Sequence, residues 1–172
     1  MAEESYYYNA VNWAAANGIT SGTSATTFSP DASCTRAQMA TFLWRAAGSP
    51  DPVGSSNPFV DVAADAYYAK AVQWAYEKGI TGGTSATTFS PDQTCTRAQM
   101  ATFLWHNAGS PETLNTTNPF ADVPVNVYYA TAVQWAYDNG ITSGTNATAF
   151  SPNASCTRAQ MVTFLYRCFA AK

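Results

Sequence analysis

Between Tyr68 and Lys78, the residues Ala71, Val72, Ala75 and Tyr76 recur at the three- and four-residue spacing that puts them on one face of a helix. The pattern predicts a helix over 68–78 with that face turned to a core. Asp65 stands where a capping side chain would accept from the first free amides. Gly79 ends the helix, because glycine takes the left-handed C′ conformation at little cost. A polar, turn-rich stretch follows, Thr81-Gly82-Gly83-Thr84-Ser85-Ala86-Thr87-Thr88, whose hydroxyls and amides are hydrogen-bonding groups. Phe89 closes it as an anchor into the core, ahead of Ser90-Pro91-Asp92. A second helix is predicted to begin at Cys95-Thr96-Arg97-Ala98-Gln99-Met100, to carry Phe103, Leu104 and Trp105, and to end near Gly109. Thr96 and Gln99 have the spacing of a capping box, and Cys95 and Met100 that of a hydrophobic staple.

The whole pattern occurs three times at an interval of 61 residues. Trp13, Trp74 and Trp135 mark the first helix, Gly18, Gly79 and Gly140 its end, Phe28, Phe89 and Phe150 the anchor, and Cys34, Cys95 and Cys156 the second start. The units run 1–49, 50–110 and 111–172. Asn57-Pro58-Phe59-Val60-Asp61-Val62 opens the second and Asn118-Pro119-Phe120-Ala121-Asp122-Val123 the third, with Asn126 in the place of Asp65. The first unit has no such opening; its earliest matched residues are Tyr6 and Tyr7, equivalent to Tyr67 and Tyr68. The connections 49–58 and 110–119 are Pro-, Ser- and Asn-rich, which suits polar surface linkers. Two short helices and a loop cannot bury both apolar faces alone, so the three units are expected to pack on one another as a mainly α module. An open solenoid and a ring closed about a pseudo-threefold axis fit the periodicity equally.

Apolar residues make up 47% of the chain and charged residues only 11%, which leaves Ser, Thr, Asn and Gln to cover the surface. The net charge is −3 with no run of Lys or Arg, which argues against nucleic acid or anionic membrane as a partner. The apolar runs fall far short of the ~20 residues a membrane span needs. Met1-Ala2-Glu3-Glu4 lacks the basic start and apolar core of a signal peptide. The repeated cysteines have no second cysteine within the first two units, so buried free thiols are expected rather than a disulfide framework. No His/Cys spacing suits zinc, and no metal or cofactor is expected. Nor is a catalytic residue: the single histidine, His106, has Arg45 and Arg167 as its equivalents and reads as a tolerant, exposed position. Gly82-Gly83 follows a helix, not the strand a phosphate loop requires. The sequons Asn115-Thr116-Thr117 and Asn146-Ala147-Thr148 carry no weight in a chain this rich in Thr and Asn.

Arg36, Arg97 and Arg158 are left over by this local accounting. Each occupies the first helical position, where the macrodipole slightly disfavours a cation. One reading is a guanidinium beside exposed helix N-terminal amides, a site for a carboxylate or phosphate. The other is a structural hub, for instance an ion pair with Asp61 or Asp122. Tyrosines at the start of the first helix, near a neighbouring unit's arginine, are placed to stack on sugar rings.

Taken together, Phe59-x-Asp61-Val62, Tyr67-Tyr68-x-x-Ala71-Val72, Gly79-Ile80-x-x-Gly83, Phe89-x-Pro91 and Thr96-Arg97-Ala98-Gln99 resemble the S-layer homology family, in three tandem copies that cover essentially the whole chain. The resemblance implies a closed, three-lobed helical module about a pseudo-threefold axis. It implies a non-catalytic anchor at the bacterial cell surface, extracellular and bound non-covalently to secondary cell-wall polysaccharide, often bearing pyruvylated N-acetylmannosamine. It further implies grooves between neighbouring units. Carried over by position, their residues are Arg36, Arg97 and Arg158, Asp61 and Asp122, Tyr6, Tyr67 and Tyr128, and Gly22, Gly83 and Gly144. The family's Thr-Arg-Ala-Glu is Thr-Arg-Ala-Gln here in every copy, its Trp-Tyr pair is Tyr-Tyr, and the first unit lacks the Phe-x-Asp-Val opening. At most two fully furnished grooves are therefore expected, and Arg97→Ala is expected to weaken wall binding with the fold intact. The module is expected to be a monomeric part of a larger surface protein. A structural module for protein–protein contact or self-assembly is the alternative.

Overall fold

The structure, a computed structural model, describes residues 4–54, 57–113 and 118–170. Among these residues there are six helices and no strand beyond isolated bridges. The helices are α1 (Tyr8–Ala16), α2 (Arg36–Ala46), α3 (Ala69–Glu77), α4 (Arg97–Asn107), α5 (Ala130–Asp138) and α6 (Arg158–Phe169). Each unit thus holds one shorter and one longer helix. Parts of both linkers, and the Asn115–Thr117 sequon, lie outside the described residues.

The start of each longer helix follows from its own sequence. Thr35, Thr96 and Thr157 are N-caps with extended backbone, and each forms the full capping box with Gln38, Gln99 or Gln160. Cys95 and Met100 are both fully buried, as are their equivalents in the other units. The shorter helices end as their glycines predict. Gly79 has φ +68°, its amide donates to Tyr76 O, and the Ile80 amide reaches back to Ala75 O. This pair of bonds is the Schellman arrangement, with Ile80 buried as its apolar partner.

The start of the shorter helices corrects the expectation from Asp65 and Asn126. Their N-caps are Tyr68 and Tyr129, with no side-chain cap hydrogen bond. The preceding residues wind into tight turns instead, in which Ala66 N–H donates to Ala63 O and Ala69 N–H to Ala66 O. Backbone carbonyls already serve the entering amides, so Asp65 stays exposed. Tyr76 also departs from the expected buried face. It is 44% exposed, and Trp74 joins Ala71, Val72 and Ala75 inside. Tyr76 instead meets the Phe59 ring edge-on at 5.5 Å.

Packing between units is systematic. α2 packs on α3, α4 on α5, and α6 on α1, so the longer helix of each unit covers the shorter helix of another. The first and third units are therefore in direct contact. The backbone repeats this order: Cys34 N–H donates to Cys156 O, Cys95 N–H to Cys34 O, and Cys156 N–H to Cys95 O, each at 2.9 Å. These three bonds form a closed cycle. Met39, Met100 and Met161 and Leu43, Leu104 and Leu165 are fully buried in one apolar cluster that draws on all three units. Cys34, Cys95 and Cys156 are unbridged thiols within it. Burial pushes Cys34 and Cys95 up to about 12 and Cys156 well above its ordinary value.

Candidate ligand clefts at the unit junctions

The arginines sit at the junctions, and they are interior. Arg36, Arg97 and Arg158 are only 2%, 3% and 3% exposed. Arg36 Nε donates to Phe89 O, Arg97 Nε to Phe150 O and Arg158 Nε to Phe28 O, each at 2.8 Å. Each guanidinium also lies over two phenylalanine rings, Phe89 and Phe103 for Arg36 at 4.7 and 5.6 Å from Cζ to centroid. Desolvation lowers the pKa of all three, but a guanidinium remains charged at neutral pH.

The picture of a guanidinium beside free helix amides is corrected. The Arg36 amide donates to Gln93 O and the Ala37 amide to Pro91 O, while the Gln38 amide is taken by Thr35. The loop after the next unit's first helix therefore caps α2. The third unit's loop caps α4 and the first unit's loop caps α6 in the same way, through Ala154 and Pro152, and through Ala32 and Pro30. The first turn of each longer helix is thus spent on the neighbouring unit.

Asp61 and Asp122 serve those loops. Asp61 accepts from the Phe89 amide at 2.8 Å and the Ser90 amide at 2.7 Å, and Asp122 does the same for Phe150 and Ser151. Ser90 and Ser151 have φ of 58°, a strained value for a residue with a side chain, and Ser29 takes φ of 55° in the first unit, which lacks this aspartate. The Phe28 carbonyl meets Arg158 at the same 2.8 Å without one, so the aspartates brace loops whose course does not depend on them. Neither aspartate is on the wall of the clefts beside Arg36 and Arg97, and among the described residues neither forms a salt bridge with an arginine. Gly83 and Gly144 do line clefts. Each has positive φ, and an added Cβ would collide with carbonyls of its own loop and with the Phe59 or Phe120 ring.

Two clefts open against these arginines. One, of about 550 Å³, is walled by Arg36, the loop around Gly83, Gln99 and His106 on α4, and Tyr128. The other, of about 400 Å³, is walled by Arg97, the loop around Gly144, Gln160 and Arg167 on α6, and Tyr6. All three units contribute to each. Both volumes fall in the range of small-molecule sites. Nη2 of Arg36 and Nη2 of Arg97 are buried and have no hydrogen-bond partner among the described residues. Such a donor costs about 1–3 kcal/mol. Tyr6 and Tyr128 are 63% and 68% exposed, which leaves their ring faces to the cleft mouths.

The remaining junction differs. Arg158 Nη2 donates to Thr20 Oγ1 at 3.3 Å. Tyr67, 63% exposed, lies within electrostatic reach of Arg45 there. Gly22 lines a separate cleft of about 510 Å³ whose wall comes from the first unit alone, with neither Arg158 nor Tyr67 in it. In the second and third units the corresponding glycines lie against Phe59 and Phe120 of the openings the first unit lacks.

His106 is the residue the sequence misled about. It is half-buried, its Nδ1 lies 3.1 Å from Ile80 O, and it lines the Arg36 cleft. Arg45 and Arg167 bond equivalent carbonyls, Ile19 O at 3.1 Å and Ile141 O at 3.2 Å. A basic residue at one position in all three units was the available signal. Among the described residues, no group of three or more His, Cys, Asp or Glu is placed to hold a metal ion, and no helix is long and apolar enough to cross a membrane.

A family model described as the S-layer homology domain matches residues 2–40, 58–101 and 119–162. A "Cell surface protein" of Thermoanaerobacter kivui is 34% identical over 122 residues, 69% of this chain and 16% of that protein. A "Surface-layer 125 kDa protein" of Lysinibacillus sphaericus is 34% identical over 119 residues, 69% of this chain and 10% of that protein. An "Endoglucanase" of Bacillus sp. (strain KSM-635) is 36% identical over 112 residues, 65% of this chain and 12% of that protein. The chain thus spans between a tenth and a sixth of the length of these relatives.

Proposed function

Because the chain belongs to the S-layer homology domain family, we propose that it is a non-catalytic anchor that holds a protein to the bacterial cell surface by binding cell-wall polysaccharide in the clefts of Arg36 and Arg97. S-layer homology domains of cell-surface and S-layer proteins are cell-wall anchors in general, and the chain works at that surface. The architecture proposed is a closed three-lobed module about a pseudo-threefold axis, with units bounded near residues 49 and 110. The closed cycle of cysteine backbone bonds and the contact of α6 with α1 support it over an open stack.

The observation that carries the binding reading is the composition of the two clefts. Each joins a buried guanidinium with an unsatisfied donor, a hydroxyl-rich loop and an exposed tyrosine. Hydroxyls and ring faces suit neutral sugar, and the cation suits a carboxylate substituent such as a pyruvyl ketal. Asp61 and Asp122 act as loop braces in this reading, since both their oxygens are spent on loop amides.

Sedimentation with purified sacculi tests it. The chain is expected to co-sediment with intact sacculi and to stay in solution once the wall polymer is chemically stripped. Arg167→Ala, at a half-buried site that leaves the Arg97–Phe150 contact in place, is expected to weaken co-sedimentation about tenfold, as loss of one charge-assisted hydrogen bond would. Undiminished binding to stripped sacculi would overturn the reading in favour of a protein–protein module.

A further inference from the structure

The clefts are built to one plan and differ at a few wall positions: Gly82 stands against Ser143, Gln93 lines the first cleft where the third unit's equivalent is Ala154, and only one difference, His106 against Arg167, changes a charged or titratable group. Where the Arg97 cleft has Arg167, the Arg36 cleft has His106. Both side chains spend one nitrogen on an isoleucine carbonyl, at Ile141 and Ile80. What remains differs in chemistry. Arg167 keeps a positive charge and further N–H donors at every physiological pH. His106, with Nδ1 donating to a carbonyl, keeps only Nε2. In the neutral ring Nε2 is a lone pair, which repels an approaching carboxylate; in the protonated ring it is a donor carrying charge. The other charged or titratable side chains lining this cleft are Arg36, from the head of α2, and Tyr128, from the segment leading into α5. The loop 80–84, Ser90 and Gln93 of the following segment and the rest of α4 contribute hydroxyls, amides and apolar groups, and no carboxylate. No acidic neighbour on the wall competes with a ligand's carboxylate for the imidazolium.

We propose that position 106 is a specificity determinant that makes the two clefts unequal: the Arg36–His106 cleft holds a carboxylate-bearing sugar tightly only when His106 is protonated, and the Arg97–Arg167 cleft holds it throughout. This rests on the glycan-binding reading above. The chain then carries one permanent anchor point and one that tightens in acid. His106 acts here on affinity, not on chemistry. It is the sole histidine of the chain, so its ring resonances are assigned without ambiguity.

The test is a per-residue titration by nuclear magnetic resonance of the isotope-labelled chain, with the methyl glycoside of pyruvylated N-acetylmannosamine as probe. The Gly83 and Thr84 amides report the first cleft, and the Gly144 and Thr145 amides the second. At about pH 5.5 both sets are expected to shift, together with the His106 ring. At about pH 8 the affinity read from Gly83 and Thr84 is expected to fall about tenfold, the worth of one charge-assisted contact. That read from Gly144 and Thr145 stays constant. His106→Arg is expected to make the first cleft pH-independent and tight, and His106→Gln to make it pH-independent and weak. Equal affinity of Gly83 and Thr84 at both pH values, or a pH dependence that survives in His106→Arg, would overturn the inference while leaving the glycan reading standing. Absence of shifts in both clefts at either pH would overturn the glycan reading itself.

Discussion

Arg97 faces two ways. Its Nε and ring contacts tie the second unit to Phe150 and Phe164 of the third, while the remaining guanidinium borders a cleft. Arg97→Ala would remove a buried charge-assisted bond, leave the Phe150 carbonyl unpaired and empty a stacked slot. We expect it to lower unfolding stability by about 3 kcal/mol or more, read by urea denaturation. That revises the expectation of an intact fold and explains why a cleft-wall substitution is the cleaner probe of binding. Arg97→Lys should recover only part of the loss, because an ammonium lacks the planar fork and stacks poorly. The cysteines give a second prediction at this scale. Their thiols are held protonated by burial, at about 12 for Cys34 and Cys95. The stability this protonation represents is complete below the ordinary thiol value of about 8.5–9 and drains away as pH climbs toward 12. Denaturation midpoints should therefore fall steadily above about pH 9, and Cys34→Ala/Cys95→Ala/Cys156→Ala should flatten that limb. A midpoint constant from pH 8 to pH 11 would refute it.

At the scale of the element, what could be read from sequence is what is decided within a few residues. Thr96, Gln99, Cys95 and Met100 were legible as a helix start because the capping box closes over three residues and the staple over five. Gly79 was legible because the Schellman bonds are local. Asp65 was misread because backbone turns do the work a side-chain cap would otherwise do. The partners of the arginines were not legible, since Arg36 meets Phe89 across 53 positions and no periodicity states which carbonyl a guanidinium will find. The cap itself yields a prediction. Thr96→Ala should cost about 1–2 kcal/mol in chemical denaturation, and Thr96→Ser most of that less. Because the Arg97 and Ala98 amides are served by Ala154 and Pro152 of the third unit, the helix should survive the loss, with circular dichroism of the folded protein unchanged.

Across the whole molecule, no unit is self-sufficient. α2, α4 and α6 are each capped by another unit's loop and packed on another unit's short helix. A chain ending at residue 110 would leave α1 without α6, α4 without α5, and Arg97 without Phe150. We expect such a fragment to lack a cooperative thermal transition, with exposed apolar surface detectable by dye binding. A sharp melt close to that of the full chain would show the units to be independent. Tandem repetition was plain in the sequence, but it did not say whether the third copy returns to the first. The proposed closure is supported by the hydrogen bond from Arg158 to Phe28 and by the Cys34–Cys156 backbone pair.

The Arg158–Phe28 bond spans 130 positions, against 53 for each of its two counterparts. By the logarithmic law of loop closure, that extra length costs only about 0.8 kcal/mol. The larger effect is on the order of events in time. Within this module, synthesis makes Phe28 and α1 well before Arg158 and α6, so the first unit's loop must wait for its partner. Of the six helices, the one made first is thus among the last to be finished.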